Sequence, residues 1–137
     1  MIFLDTSFLI SFEVEKDANH EKAVALMEKI VGEEYGEPLI SDYIFDETVT
    51  VSLVRSKSLR KAAFVADALV SSFQILRVDD SIFERARSLF KAQKRTRLSF
   101  TDCSTITLMH KAAIRNIATF DKDFDEVEGI NVYHERP

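Results

Sequence analysis

Short apolar runs and helix-spaced apolar stripes alternate along the whole chain. Ile2-Phe3-Leu4 has no polar face, the mark of a strand buried on both sides within a parallel sheet. Pro38–Ser41 and the stretches 73–78, 116–119 and 130–133 repeat that character and predict four more short strands. Between them the apolar period changes. Phe8-Leu9-Ile10-Ser11-Phe12 opens a short amphipathic helix, and residues 17–19 start a second that carries Ala23, Leu26, Met27, Ile30 and Val31 before Gly32 ends it. A helix over 43–55 is capped by Ser41 or Asp42. Another follows Ser58, with Leu59, Ala62, Ala63, Ala66, Leu69 and Val70. Residues 79–81 start a helix with Ile82, Phe83, Ala86, Leu89 and Phe90 on one face, and Ser99 opens a last one reaching about Arg115. Residues 121–125 read as a turn or a single helical turn. Strands alternating with helices, and no hairpin dipeptide, imply an α/β fold with a parallel sheet covered on both sides. No repeat, linker or low-complexity tract interrupts the pattern, and 137 residues predict a single domain over 1–137.

Composition narrows the classes. Eleven Phe and no Trp predict a core of Phe, Leu, Ile and Val. One Cys cannot form an internal disulfide, which fits a reducing cytoplasm. The apolar N-terminus lacks a basic flank and is broken by Asp5, so no signal peptide is expected, and no run approaches the ~20 apolar residues of a membrane span. A net charge of −5 argues against a general nucleic-acid binder. With only three Gly, a glycine-rich phosphate cradle is excluded, and the segment from Gly32 to Gly36 reads as a plain loop.

Carboxylates stand where a core or a ligand edge is expected. Asp5 ends the first strand, the place where open α/β sheets bind ligands, although Asp5, Thr6 or Ser7 also suits a helix cap. Glu47 shares a helical stripe with Ile44, Val51 and Val54 that reads as the buried face, unless it lies at the stripe's edge or pairs with an Arg. Asp102 shares a face with Ile106, Met109 and Ala113, and Ser99-Phe100-Thr101-Asp102 also matches a capping box. Asp121 follows the fourth strand as Asp5 follows the first, with Asp123 and Asp125 able to substitute or to serve as turn residues. Four acids gathered at one sheet edge repel one another unless a cation intervenes. An all-oxygen set selects a hard ion, Mg²⁺ or Mn²⁺, and points to chemistry at a phosphodiester.

The segments Asp5-Thr6-Ser7-Phe8-Leu9, Asp46-Glu47-Thr48-Val49-Thr50, Ser99-Phe100-Thr101-Asp102 and Ala118-Thr119-Phe120-Asp121-Lys122-Asp123-Phe124 resemble the four acidic motifs of the PIN domain. More narrowly, the chain resembles the VapC-like ribonucleases of prokaryotic toxin–antitoxin pairs along its full length. Asp46, where the family often has Asn or another polar residue, is a departure that adds negative charge. The resemblance implies a three-layer α/β/α sandwich around a mostly parallel sheet of four or five short strands. It implies Asp5, Glu47, Asp102 and Asp121 as catalytic ligands of one or two Mg²⁺ or Mn²⁺ ions, with Asp123 as alternate, and Thr6, Ser7 and Thr119 as supporting hydroxyls. It further implies endonucleolytic cleavage of single-stranded or looped RNA, a small antitoxin partner and a homodimer.

The basic residues Lys94, Arg95 and Arg97, upstream of Asp102, are candidate RNA contacts, though Lys91 and Lys94 also complement a helix C-terminus; Arg55, Lys57, Arg60 and Lys61 form a second basic group at the end of the Glu47 helix. Cys103 reads as a small buried side chain. A haloacid-dehalogenase-type phosphatase also opens with a strand ending in Asp, but it needs a second Asp where Ser7 stands. A receiver domain fails because Asp79-Asp80 comes mid-chain. Two further readings stay open: a catalytically silent PIN-like module binding metal, RNA or protein, and a PIN nuclease of RNA processing without an antitoxin.

Overall fold

The computed structural model describes residues 1–134. The chain runs β1 (Ile2–Leu4), α1 (Thr6–Glu13), α2 (His20–Val31), β2 (Pro38–Ser41), α3 (Asp42–Ser56), α4 (Leu59–Ser72), β3 (Gln74–Leu76), α5 (Asp80–Ala92), α6 (Phe100–Lys111), β4 (Asn116–Ala118), a 3₁₀ turn (Lys122–Glu126) and β5 (Asn131–Tyr133). All strand pairs are parallel and the order across the sheet is β3-β2-β1-β4-β5. From β1 the chain steps outward one way to β2 and β3, then crosses back to β4 and continues to β5. Right-handed crossovers therefore place α1 to α4 on one face and α5 with α6 on the other. The dominant helix pairings, α1 with α2 and α3, α3 with α4, and α5 with α6, agree.

The central strand explains the apolar N-terminus. Ile2, Phe3 and Leu4 are fully buried because both faces of β1 meet helices. Caps set most helix starts: Ser41, Ser58, Asp79 and Ser99 each accept an amide N–H from the first turn. Before β2 the chain turns at Gly36, whose φ of +82° and close approach to the Met1 backbone admit no side chain.

Three expectations need correction. The last long helix stops at Lys111, four residues before Arg115. Ala113 takes a left-handed φ of +55° and Ile114 N–H closes back on Met109 C=O at 2.8 Å, a helix stop made without the Gly that would have announced it. The third strand is only Gln74–Leu76. On α3 the buried stripe is Ile44, Thr48 and Ser52, whereas Val54 is 69 % exposed. Small hydroxyl residues, not the apolar ones, face the protein there, with Thr48 Oγ1 reaching Thr6 Oγ1 at 3.5 Å. Glu47 thus lies at the edge of the buried stripe rather than within it.

Candidate active site

The reversal of strand order between β1 and β4 is a topological switch point, and such points open a crevice at the carboxyl ends of the strands. There Leu4 pairs with Ala118, so the residues that follow, Asp5 and Thr119, leave the sheet side by side. The Asp5 N–H donates to Ala118 C=O at 3.0 Å and fixes that register. A cleft of about 460 Å³ opens above, lined by Asp5, Ser7, Glu47, Ser99, Asp102 and Asp121 among others.

Asp5 is the most tightly held of the acids. It is 3 % exposed, and its Oδ2 accepts hydrogen bonds from Ser7 Oγ at 2.8 Å and Thr119 Oγ1 at 2.7 Å. Each hydroxyl is itself oriented from behind. Phe120 N–H donates to Ser7 Oγ, and Asp121 N–H donates to Thr119 Oγ1, both at 3.0 Å. With their lone pairs engaged by amides, the two hydroxyls turn their protons toward the carboxylate. Burial nonetheless raises the Asp5 pKa, and the charge of Glu47 adds to it against the lowering effect of the hydrogen bonds. Thr6 lines the cleft, but its hydroxyl meets Thr48; only its amide helps to lower the Asp5 pKa. Of the three hydroxyls expected to support the acids, Ser7 and Thr119 touch a carboxylate and Thr6 does not.

Asp102 enters from the first turn of α6. A capping box holds it: Ser99 Oγ accepts from Asp102 N–H at 3.0 Å, and Asp102 Oδ2 accepts from Ser99 N–H at 2.9 Å. Burial, then repulsion from Asp5 and Asp121, pushes its pKa up to about 7. Asp121 caps the 3₁₀ turn by accepting Asp123 N–H at 2.9 Å. Asp123, the alternate acid, is not among the cleft-lining residues. Glu47 lines the cleft from α3 and has no hydrogen-bond partner among the described residues.

No Lys or Arg among the described residues pairs with Asp5, Glu47, Asp102 or Asp121. Equally, no three His, Cys, Asp or Glu side chains among the described residues converge closely enough to enclose a metal ion by themselves. The expectation of four carboxylates crowded around one point is therefore corrected to four carboxylates sharing an open cleft. The donor set still fits a hard cation of the Mg²⁺ kind, which is held by one or two carboxylates and retains several waters.

Lys94, Arg95 and Arg97 are exposed on the segment that leads into α6, and none lines the cleft. That segment is organised by a residue the sequence pattern did not single out. Gln93 Oε1 accepts from Leu98 N–H at 2.7 Å and Thr96 Oγ1 at 2.8 Å, while its Nε2 donates to Leu98 C=O at 2.9 Å. Arg55, expected only as one of a basic group at the end of the Glu47 helix, lines the cleft and pairs at 3.5 Å with Asp17, expected only as a helix start. Cys103 is fully buried beside Asp102, and burial followed by that carboxylate pushes its thiol up to about 11. It is no nucleophile.

Residues 2–130 match the family model of the PIN domain. The chain belongs to the PIN-domain family. Among characterised relatives, this PIN domain is 27 % identical over 123 residues to a VapC ribonuclease of Archaeoglobus fulgidus, covering 88 % of this chain and 77 % of that protein. It superposes with a TM-score of 0.81 on Mycobacterium tuberculosis VapC20, described as a Sarcin-Ricin loop cleaving toxin, at 26 % identity over 91 % of this chain and 93 % of the other. A toxin–antitoxin complex from Klebsiella pneumoniae shares the fold of this PIN domain at a TM-score of 0.69 and 20 % identity, with 96 % of each chain covered.

Proposed function

We propose that the protein is a divalent-metal-dependent endoribonuclease that acts as the toxin of a toxin–antitoxin pair. The observation that carries this reading is the cleft itself. Acids from the ends of β1 and β4, from α3 and from the start of α6 line one crevice without a cationic side chain to neutralise those four. The VapC relatives support RNA as the substrate.

Asp5, Asp102, Asp121 and Glu47 would hold Mg²⁺ or Mn²⁺, which supplies an acidified water and neutralises charge at the phosphate. The protein's own share is positioning. Ser7 and Thr119 lock Asp5, the Ser99 box locks Asp102, and the 3₁₀ cap locks Asp121. Glu47, free of hydrogen-bond partners among the described residues, is the carboxylate able to move and take a proton from the attacking water at its side-chain oxygen. The open cleft suits a single strand or a loop better than a duplex.

An antitoxin and a second copy of the chain are the proposed partners. The exposure of Val31, Val54, Leu59 and Phe64, each about 70 %, supports apolar contact surfaces on the helices. Among the described residues no helix is long and apolar enough to cross a membrane.

The test is cleavage of a labelled RNA by purified protein in Mg²⁺, Mn²⁺ or EDTA. Wild-type protein should cut with either metal and stop in EDTA, and Asp5→Asn should be inactive while folded. Undiminished cleavage by Asp5→Asn, or cleavage in EDTA, would refute the assignment.

A further inference from the structure

Among the described residues lining the cleft, Arg55 is the one Lys or Arg, set against the carboxylates of Asp5, Asp17, Glu47, Asp102 and Asp121. It stands on the stripe of α3 that also carries Glu47 and Val51. At 1.5 Å per residue it lies about 12 Å along the helix axis from Glu47. Its Nη1 lies 3.5 Å from Asp17 Oδ2, with the Arg55 side chain 53 % exposed and that of Asp17 19 % exposed. A single contact leaves most of the guanidinium's five donors unused. Asp17 is fixed independently. It accepts Asn19 N–H at 2.9 Å, and that bond, ahead of contributions from Ser11 and Arg55, holds its carboxyl below the usual range. A partly exposed pair with one contact adds little to stability, so the guanidinium is easily released from it.

We propose that Arg55 is the phosphate-binding residue of this cleft and that its guanidinium exchanges Asp17 for a backbone phosphate of the RNA beside the one being cleaved. The inference rests on the ribonuclease reading above. About two turns of α3 separate Arg55 from Glu47, which sets the guanidinium along the cleft from the acids rather than among them, in the place of a neighbouring phosphate. A guanidinium suits the task because its planar fork meets phosphate oxygens in pairs. It also offers the entering strand an attractive point in a cleft whose other charged side chains repel it.

The test uses labelled single-stranded RNA, with binding measured in the Asp5→Asn background over a salt series and cleavage measured in the wild-type background. Arg55→Ala should weaken binding about tenfold and lower the slope of log K against log salt by about 0.7, one phosphate's share for a single strand. It should raise KM and leave kcat within about twofold. Arg55→Lys should restore the slope. Asp17→Asn breaks the same ion pair but removes a negative charge, so it should tighten binding. A merely structural pair would make Arg55→Ala and Asp17→Asn shift binding in the same direction with an unchanged slope, and either that result or an unchanged KM overturns the proposal. If the wild type cleaves RNA and Arg55→Ala keeps its slope and KM, only this inference falls. If the wild type neither binds nor cleaves RNA, the ribonuclease reading fails and this one fails with it.

Discussion

Replacing Asp102 by Asn should stabilise the metal-free protein at neutral pH while abolishing its activity. Asp102 is 7 % exposed, and burial, with repulsion from Asp5 and Asp121, pushes its pKa from 3.8 to about 7. A rise of about 3 units at about 1.4 kcal/mol each sets a ceiling near 4 kcal/mol on the cost of ionising it in the fold. Water and salt in the open cleft screen that cost, so a gain of roughly 1–2 kcal/mol is expected. The Asn oxygen still accepts Ser99 N–H, so the cap survives. For a domain of this size the gain raises Tm by about 3–8 °C. The sign with pH follows from the direction of the shift. A folded-state pKa above the unfolded one means that the native state holds the proton more tightly. Stability of the metal-free wild type is therefore fullest below about pH 4 and is lost as pH rises toward about 7. Thermal melts in EDTA at pH 5 and pH 8 read this directly: the advantage of Asp102→Asn should be full at pH 8 and shrink to about a third at pH 5. Saturating Mg²⁺ should stabilise the wild type more than the variant. A variant that melts at or below the wild type at pH 8 in EDTA, or by the same margin at both pH values, refutes the reasoning.

Thr119→Val keeps the shape but removes the 2.7 Å donor to Asp5, and should cost about 10–100-fold in cleavage or metal affinity with little change in Tm. Gly36→Ala combines a φ of +82° with a Cβ that would stand 2.5 Å from Met1 N, so it should lower stability by about 1–3 kcal/mol in denaturant melts. Gly129→Ala, at φ +78° with open space around it, should lose less. Cys103 should resist thiol reagents at pH 8 until the protein unfolds, and rapid labelling of native protein would contradict its burial and its raised pKa.

Local chemistry made much of this molecule legible in its sequence. Ile2-Phe3-Leu4 could only be a doubly buried strand, and Ser41, Ser58 and Ser99 cap helices through bonds to residues three positions on. Asp5 and Asp102 stood out because acids at a buried strand end and on an apolar helix face are costly. Misreadings arose where packing overrode pattern. Thr48 and Ser52 occupy the buried face of α3, Thr48 against Thr6 of α1, an arrangement hydrophobic spacing cannot signal. The early stop of α6 uses a left-handed Ala, a conformation Ala seldom advertises. Contacts between distant segments left no mark at all. The pairing of Arg55 with Asp17 depends on α3 lying beside the α1–α2 connection, and the Gln93 hub depends on how the chain folds back at Leu98.

The bond from Thr119 to Asp5 joins residues 114 positions apart, and both flank strands at the middle of the sheet. During synthesis the anchoring acid leaves the ribosome first, yet the hydroxyl that fixes it emerges only 114 residues later. A nascent or prematurely terminated chain therefore carries Asp5 without its clamp and without Asp121. The cleft is therefore assembled only when β4 pairs with β1, and a shorter chain lacks both the clamp and one of its acids.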